Sequence, residues 1–223
     1  MGMLRNNKFN IAHISQIPIV LHTIDAYSYC WNTWYYFFKK HAKNHGPIWF
    51  LSEEKEPDFA DQVNHIKTGS GAWGKRLLKG LEDIPPHFFY MQEDFWAHSD
   101  LVFDHTITDL FTQYEMDCLR ISWHHNHYAA DKIENSLYKM RQLAAYTLSH
   151  QFALWSRDFL IPHIKSDDDP WKNEEDGSIS INRNPHNIYI LQNDWYTHAI
   201  SQGRPIINPQ TQLMMSEYIK HAQ

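Results

Sequence analysis

Residues 88–96 read FFYMQEDFW, and two acids inside this stretch, Glu93 and Asp94, follow an apolar run with the composition of a short buried strand. Carboxylates at the C-terminal end of a strand suit two kinds of work. In open α/β sheets ligands bind in the crevice beyond the carboxyl ends of the strands. Mg²⁺ or Mn²⁺ is held in such places by one or two carboxylates together with the phosphates of its ligand. The same residues also suit capping the next turn, and the stretch by itself leaves both readings open.

Other segments carry chemistry-bearing residues. Residues 72–81 place Trp73, Leu77, Leu78 and Leu81 at helical spacing beside Lys75, Arg76 and Lys79. This is an amphipathic helix whose N-terminus and basic residues either meet an anion or simply face solvent. His124, His125 and His127 are dense but match no ligand spacing such as HExxH, and no acid beside them is placed as a base, so they read as loop histidines. Residues 162–184, with the core DDDPWKNEEDGS, form a long acidic segment of the kind that is commonly a functional loop. Nine Trp, twelve Tyr and twelve Phe supply core, and also faces on which sugar rings and bases stack.

The elements that must position these residues alternate. IPIVL at 17–21 suits a strand buried on both faces, followed by an aromatic helix over 27–40. IWFL at 48–51 and Val63 to Ile66 read as strands, and Phe88 to Met91 as the strand that carries the acids. A helix from about Asp104 to Met116 precedes a strand at Cys118 to Ile121. The segment 146–155 is apolar with a polar interruption, 157–164 looks helical, Ile188 to Leu191 alternates, Gly203 to Pro205 turns, and a last helix starts near Gln212. Alternating strands and helices imply one α/β domain with a mostly parallel sheet.

Charge and composition narrow the partners. A net charge of −6 with both signs interspersed excludes the basic footprint of a nucleic-acid binder. Cys30 and Cys118 sit in apolar surroundings without CxxC spacing, as in a protein of a reducing compartment. With no run of about 18 apolar residues and no signal-like core at the N-terminus, a cytoplasmic protein without a membrane-spanning segment is expected.

Six fragments in order, PIVLHTIDAYSYCWNTWYYFF, PIWFLSEE, GAWGKRLLKGL, FFYMQEDFW, LSHQFALWSRDFL and DPWKNEEDGS, together resemble the small GT-A-fold glycosyltransferases of bacterial and large-virus polysaccharide pathways. The resemblance implies a Rossmann-like mixed, mostly parallel sheet flanked by helices in a single domain. Residues 1–96 would then bind a nucleotide-sugar donor and residues 97–223 a glycan or lipid-linked acceptor. It implies Mn²⁺ or Mg²⁺ on Asp94 and Glu93, although the family's DxD motif here reads Gln92-Glu93-Asp94. By position, Thr23, Asp25 and Tyr27 match the loop that contacts base and ribose, and Arg76 matches a basic residue near the phosphates. Gln92 and Glu93 join them on the donor side. Glu174 matches the acid of a PWxxE pattern that resembles the family's catalytic base, with Glu175 and Asp176 as neighbours able to take that role. Gln151, Trp155 and Trp171 fall to the acceptor side. One base on the far face of the sugar implies inversion. A carboxylate-based glycoside hydrolase and a non-catalytic carbohydrate-binding module are the alternatives.

Overall fold

The computed structural model describes residues 11–122, 129–201, 204–205 and 208–222. The histidine cluster 124–127 and part of the turn at Gly203 to Pro205 lie outside them.

Nine strands form one sheet: β1 (Ile19–His22), β2 (Ile48–Ser52), β3 (Asn64–Lys67), β4 (His87–Met91), β5 (Cys118–Ile121), β6 (Ala130–Glu134), β7 (Leu137–Met140), β8 (Ala153–Ser156) and β9 (Ile188–Leu191). Their spatial order is β3-β2-β1-β4-β8-β5-β9-β7-β6. Only β8 and β7 run against the rest, so the sheet is mixed and mostly parallel, as expected. The helices are α1 (Ser28–His41), α2 (Trp73–Gly80), α3 (His105–Gln113), α4 (Arg157–Leu160), α5 (Pro170–Ile181) and α6 (Pro209–Ala222).

The central strands are apolar throughout because both faces are covered. Ile19, Leu21, Phe89, Met91, Leu119, Ile121 and Leu154 point to one core with Trp34, Phe37 and Phe38 of α1, Phe111 of α3 and Met214 of α6. Val20, Phe88, Tyr90, Cys118, Ala153, Trp155 and Ile188 alternate to the other face, against Leu77 of α2, Leu160 of α4 and Ile181 of α5. The period-two alternation of side chains thus builds a three-layer α/β domain from one sheet.

Two expectations are corrected. The acidic segment 162–184 is no loop, for α5 occupies Pro170–Ile181. Asp169 caps it by accepting from Lys172 N, and Pro170 fills the first position, where a missing N–H costs nothing. The second correction concerns the N-terminus of α2. The amides of Gly74 and Lys75 donate to Asp168 O and Ser166 O, both at 3.0 Å, so these first-turn donors hold the segment ahead of α5 and not an anion.

Candidate active site

The strand directions decide where functional side chains collect. β1 and β4 run parallel, and the antiparallel β8 between β4 and β5 begins where β4 ends. Residues that follow β1 and β4 and residues that precede β8 therefore meet at one edge. There they line a cavity of about 810 Å³ that includes Thr23, Tyr27, Arg76, Gln92, Glu93 and Asp94 on one side and Gln151, Trp171 and Glu174 on the other. Nine of the residues singled out in the sequence are thus brought together, within the volume range of small-molecule sites.

On the first side, Thr23 is buried and its hydroxyl accepts from Trp31 Nε1 at 2.9 Å. Arg76, also buried, turns inward from α2: Nη1 donates to Thr23 O at 2.9 Å and Nε to Gly71 O at 3.2 Å, with Glu53 at 3.8 Å. Asp25 does not line the cavity. Its carboxylate accepts from the amides of Glu53, Glu54 and Lys55 at 3.0–3.2 Å, while its own amide donates to Glu53 Oε2 at 2.9 Å. Asp25 is therefore the tie between the loops after β1 and β2, and it supports the cavity wall from behind.

Glu93 and Asp94 form the electrostatic centre of this side. Burial, and next to it the charge of Asp94, raises the pKa of Glu93, against the opposing effects of Thr23 and Arg76. Asp94 Oδ2 accepts from His198 Nε2 at 2.8 Å, whereas Oδ1 is buried without a hydrogen-bond partner among the described residues. His198 arrives through a two-stranded ribbon in which Phe95–Ala97 pairs with Tyr196–His198, and Ala199 N donates to Asp94 O at 2.7 Å. Burial acts to lower the pKa of His198, but the hydrogen bond and charge of Asp94 outweigh it and the net shift is upward. Among the described residues no three His, Cys, Asp or Glu side chains converge to hold a metal by themselves. Two adjacent carboxylates with one orphaned oxygen do fit a hard divalent cation that takes its remaining ligands from phosphate and water.

On the opposite side, α5 aims Glu174 into the cavity. Glu174 Oε1 accepts from Ser149 Oγ at 2.9 Å and from His150 N at 2.7 Å. Asn173, the preceding residue, is wholly buried; it meets the His150 ring at 3.0 Å and donates to Asp168 Oδ2 and His163 O, both at 2.8 Å. Glu175 is exposed and Asp176 pairs with Lys165 at 2.8 Å, so of the three neighbouring acids Glu174 is the one that lines the cavity. Gln151 accepts from Ser122 Oγ at 2.7 Å, and Trp171 stands 63% exposed at the mouth.

Trp155 is elsewhere. It is 1% exposed on β8, on the face packed by α2, α4 and α5, with Phe159 stacked 6.4 Å away, so it is a core residue and not an acceptor contact.

Comparison with solved structures yields the crystal structure of S. aureus TarS, at a TM-score of 0.54 and 13% identity over 92% of this chain. The two share a fold. The chain spans about two fifths of the length of TarS, since the match covers 40% of it. No family model matches the chain. No curated protein matches it either.

Sequence reasoning did not single out several lining residues, among them His22, Arg120, Ser149, His150 and His198, and it read Trp73 only as an apolar position of a helix. For His22 a signal was present, a polar residue closing an apolar strand. For His198 there was none, because its partner Asp94 lies 104 residues away in the chain.

Proposed function

We propose that this protein is a nucleotide-sugar glycosyltransferase that inverts the anomeric centre with the help of a divalent cation. The observation that carries the proposal is one cavity with a strand-end carboxylate pair, Glu93 and Asp94, on one wall and the anchored carboxylate of Glu174 on the other. The fold shared with TarS, a teichoic acid glycosyltransferase, supports it. In this reading residues 1–96 bind the donor, with Thr23, Tyr27 and Gln92 on the nucleotide side, and residues 97–223 receive a glycan or lipid-linked acceptor, with Gln151 and Trp171 at the mouth. Among the described residues no helix is long and apolar enough to cross a membrane.

Transfer breaks the bond between the anomeric carbon and the donor phosphate and forms a bond from that carbon to the acceptor oxygen. Glu174 takes the proton of the acceptor hydroxyl as the new bond forms, a contribution of about 10²–10⁴ in rate. Charge develops on the leaving diphosphate, where the buried guanidinium of Arg76 acts in a low-dielectric setting. Mn²⁺ or Mg²⁺ held by Asp94 with Glu93 would supply further positive charge to the same diphosphate.

Calorimetric titration with UDP, GDP, TDP and CDP, each with and without Mn²⁺, on the wild type and Asp94→Ala tests the reading. One nucleotide binding in a manner that depends on both metal and Asp94 is expected. Binding of none would leave the carboxylates without a diphosphate to serve and would turn attention to a hydrolase.

A further inference from the structure

Tyr146 and Trp171 line the cavity and are open to solvent, Tyr146 by 49% and Trp171 by 63%. Trp73 and Phe95, on the same wall, are buried. Among the described residues neither exposed ring stacks on another. A lone exposed aromatic is ordinary, but two that line one concave site mark a surface used for binding.

Tyr146 is held where it is against its backbone preference. Its φ of 52° lies in the left-handed region, which strains a bulky residue and persists only where the surroundings over-determine it. Here they do. Nη2 of the buried Arg120 donates to Tyr146 O at 2.6 Å and also to Thr147 O. Thr147 Oγ1 donates to Ala144 O at 2.7 Å, and Asn182 Nδ2, at the C-terminal cap of α5, donates to the same carbonyl at 2.9 Å. The guanidinium is thus engaged in fixing the turn that presents the ring. Trp171 lies in the first turn of α5, three residues before Glu174, a spacing that makes the two side chains neighbours on the helix surface. The turn at Tyr146 leads into Ser149 and His150, which hold the Glu174 carboxylate. Each segment that positions Glu174 therefore also offers an exposed aromatic face to the cavity.

Aromatic faces beside a carboxylate suit one class of hydroxyl compound. A pyranose has C–H groups on one face, which lie on an aromatic ring, and hydroxyls around its edge, which stay free to meet the carboxylate. An acyclic polyol turns hydroxyls in every direction and has no flat apolar face to lay on a ring. Resting on the glycosyltransferase reading above, we propose that Tyr146 and Trp171 form an acceptor platform, so that the hydroxyl receiving the sugar belongs to a pyranose and the enzyme extends a saccharide.

The test needs no knowledge of the donor sugar. Saturation-transfer NMR, with the nucleoside diphosphate that binds and Mg²⁺ present, is run with methyl glucoside, methyl galactoside, methyl mannoside, cellobiose, maltose and lactose, and with ribitol and glycerol as uncharged acyclic polyols. The proteins are the wild type, Trp171→Ala, Trp171→Phe, Tyr146→Phe and Tyr146→Asn, the last because asparagine tolerates the left-handed backbone. At least one saccharide should bind, and neither polyol. Trp171→Ala and Tyr146→Asn should each weaken that saccharide about five- to tenfold, the loss of one aromatic contact. The two phenylalanine variants keep a ring and should stay within about twofold. Calorimetric affinity for the nucleoside diphosphate should stay within about twofold in all four variants, which a general disturbance of the fold would not allow. Binding of no saccharide, binding of a polyol as tight as that of the best saccharide, saccharide affinity unchanged in both ring-removing variants, or an equal loss of nucleotide affinity would each overturn the platform while leaving the glycosyltransferase reading in place. Binding of no nucleotide at all would overturn that reading and the platform with it.

Discussion

Glu174 is held by donors from two consecutive residues, Ser149 Oγ and His150 N, and the helix that carries it is pinned one residue earlier by Asn173. A glutamine side chain can accept the same two hydrogen bonds but cannot take a proton. Glu174→Gln is therefore expected to lower transfer by about 10²–10⁴ while nucleotide affinity and melting temperature stay near wild type. Single-turnover transfer measured beside calorimetric binding checks this, and a variant retaining more than a tenth of the activity would remove Glu174 from the base position. The residues legible in the sequence were those whose local setting announces them. Glu93 and Asp94 follow an apolar run, whereas Glu174 was marked only by the resemblance of residues 170–174, PWKNE, to a glycosyltransferase PWxxE pattern. Trp155 misled because an aromatic in a strand has no local mark that tells core from ligand contact; only the alternation of Ala153, Leu154 and Trp155 between two packed faces does so. His198 was out of reach, since the ribbon that delivers it joins distant segments by backbone pairing.

At the scale of elements, the two walls of the cavity are coupled by the contact between α2, which supplies Arg76, and the segment that leads into α5, which supplies Glu174. Gly74 sits at that contact: its amide donates to Asp168 O, and a Cβ on it would fall 2.0 Å from Lys165 O. The obstacle is backbone, which cannot swing aside, so Gly74→Ala must push the two helices apart. A loss of about 1–3 kcal/mol is expected, read as a melting temperature lower by several degrees. Nucleotide affinity and transfer should fall together, because the displacement moves Arg76 relative to Glu174. Lys75→Ala, at an exposed neighbour, is the control and should change neither. Most elements were legible because buried strands are apolar runs and α1 to α3 show helical spacing. The exceptions have physical reasons. α5 combines a charged outer face with Gly177, so its composition mimics a loop, and its true signal was the cap residue followed by proline. The hairpin of β6 and β7 lies at the sheet edge with most of β6 exposed, so no apolar run betrays it.

The titratable groups of the whole molecule push its stability in two directions, and their signs can be worked out. His22 and His150 are buried and neutral, with His150 held down to about 4, and burial also lowers the pKa of His45, His65, His87, His163 and His186. The unfolded chain protonates each of these near its ordinary pKa, about 6.5, while the folded chain resists. Below that pH the unfolded state binds more protons, and stability is lost as pH falls, at about 1.4 kcal/mol per pH unit for each proton so withheld. Glu93 and His198 act oppositely. Both have raised pKa values, so each binds its proton more tightly in the folded state, and the stability each adds is lost as pH rises through its folded pKa. Seven histidines against one carboxyl and one histidine give an asymmetric dome: stability by urea titration should peak near neutrality, fall steeply once pH drops below about 6.5, and decline gently above it. His22→Phe should make the acid limb shallower by up to one proton's slope. Mn²⁺ with the accepted nucleotide should flatten the alkaline limb, because a cation beside Glu93 stabilises the carboxylate that burial disfavours. An acid limb that begins only below about pH 5 would mean that these histidines are not the groups withholding protons, since it would lie in the range of ordinary carboxylates.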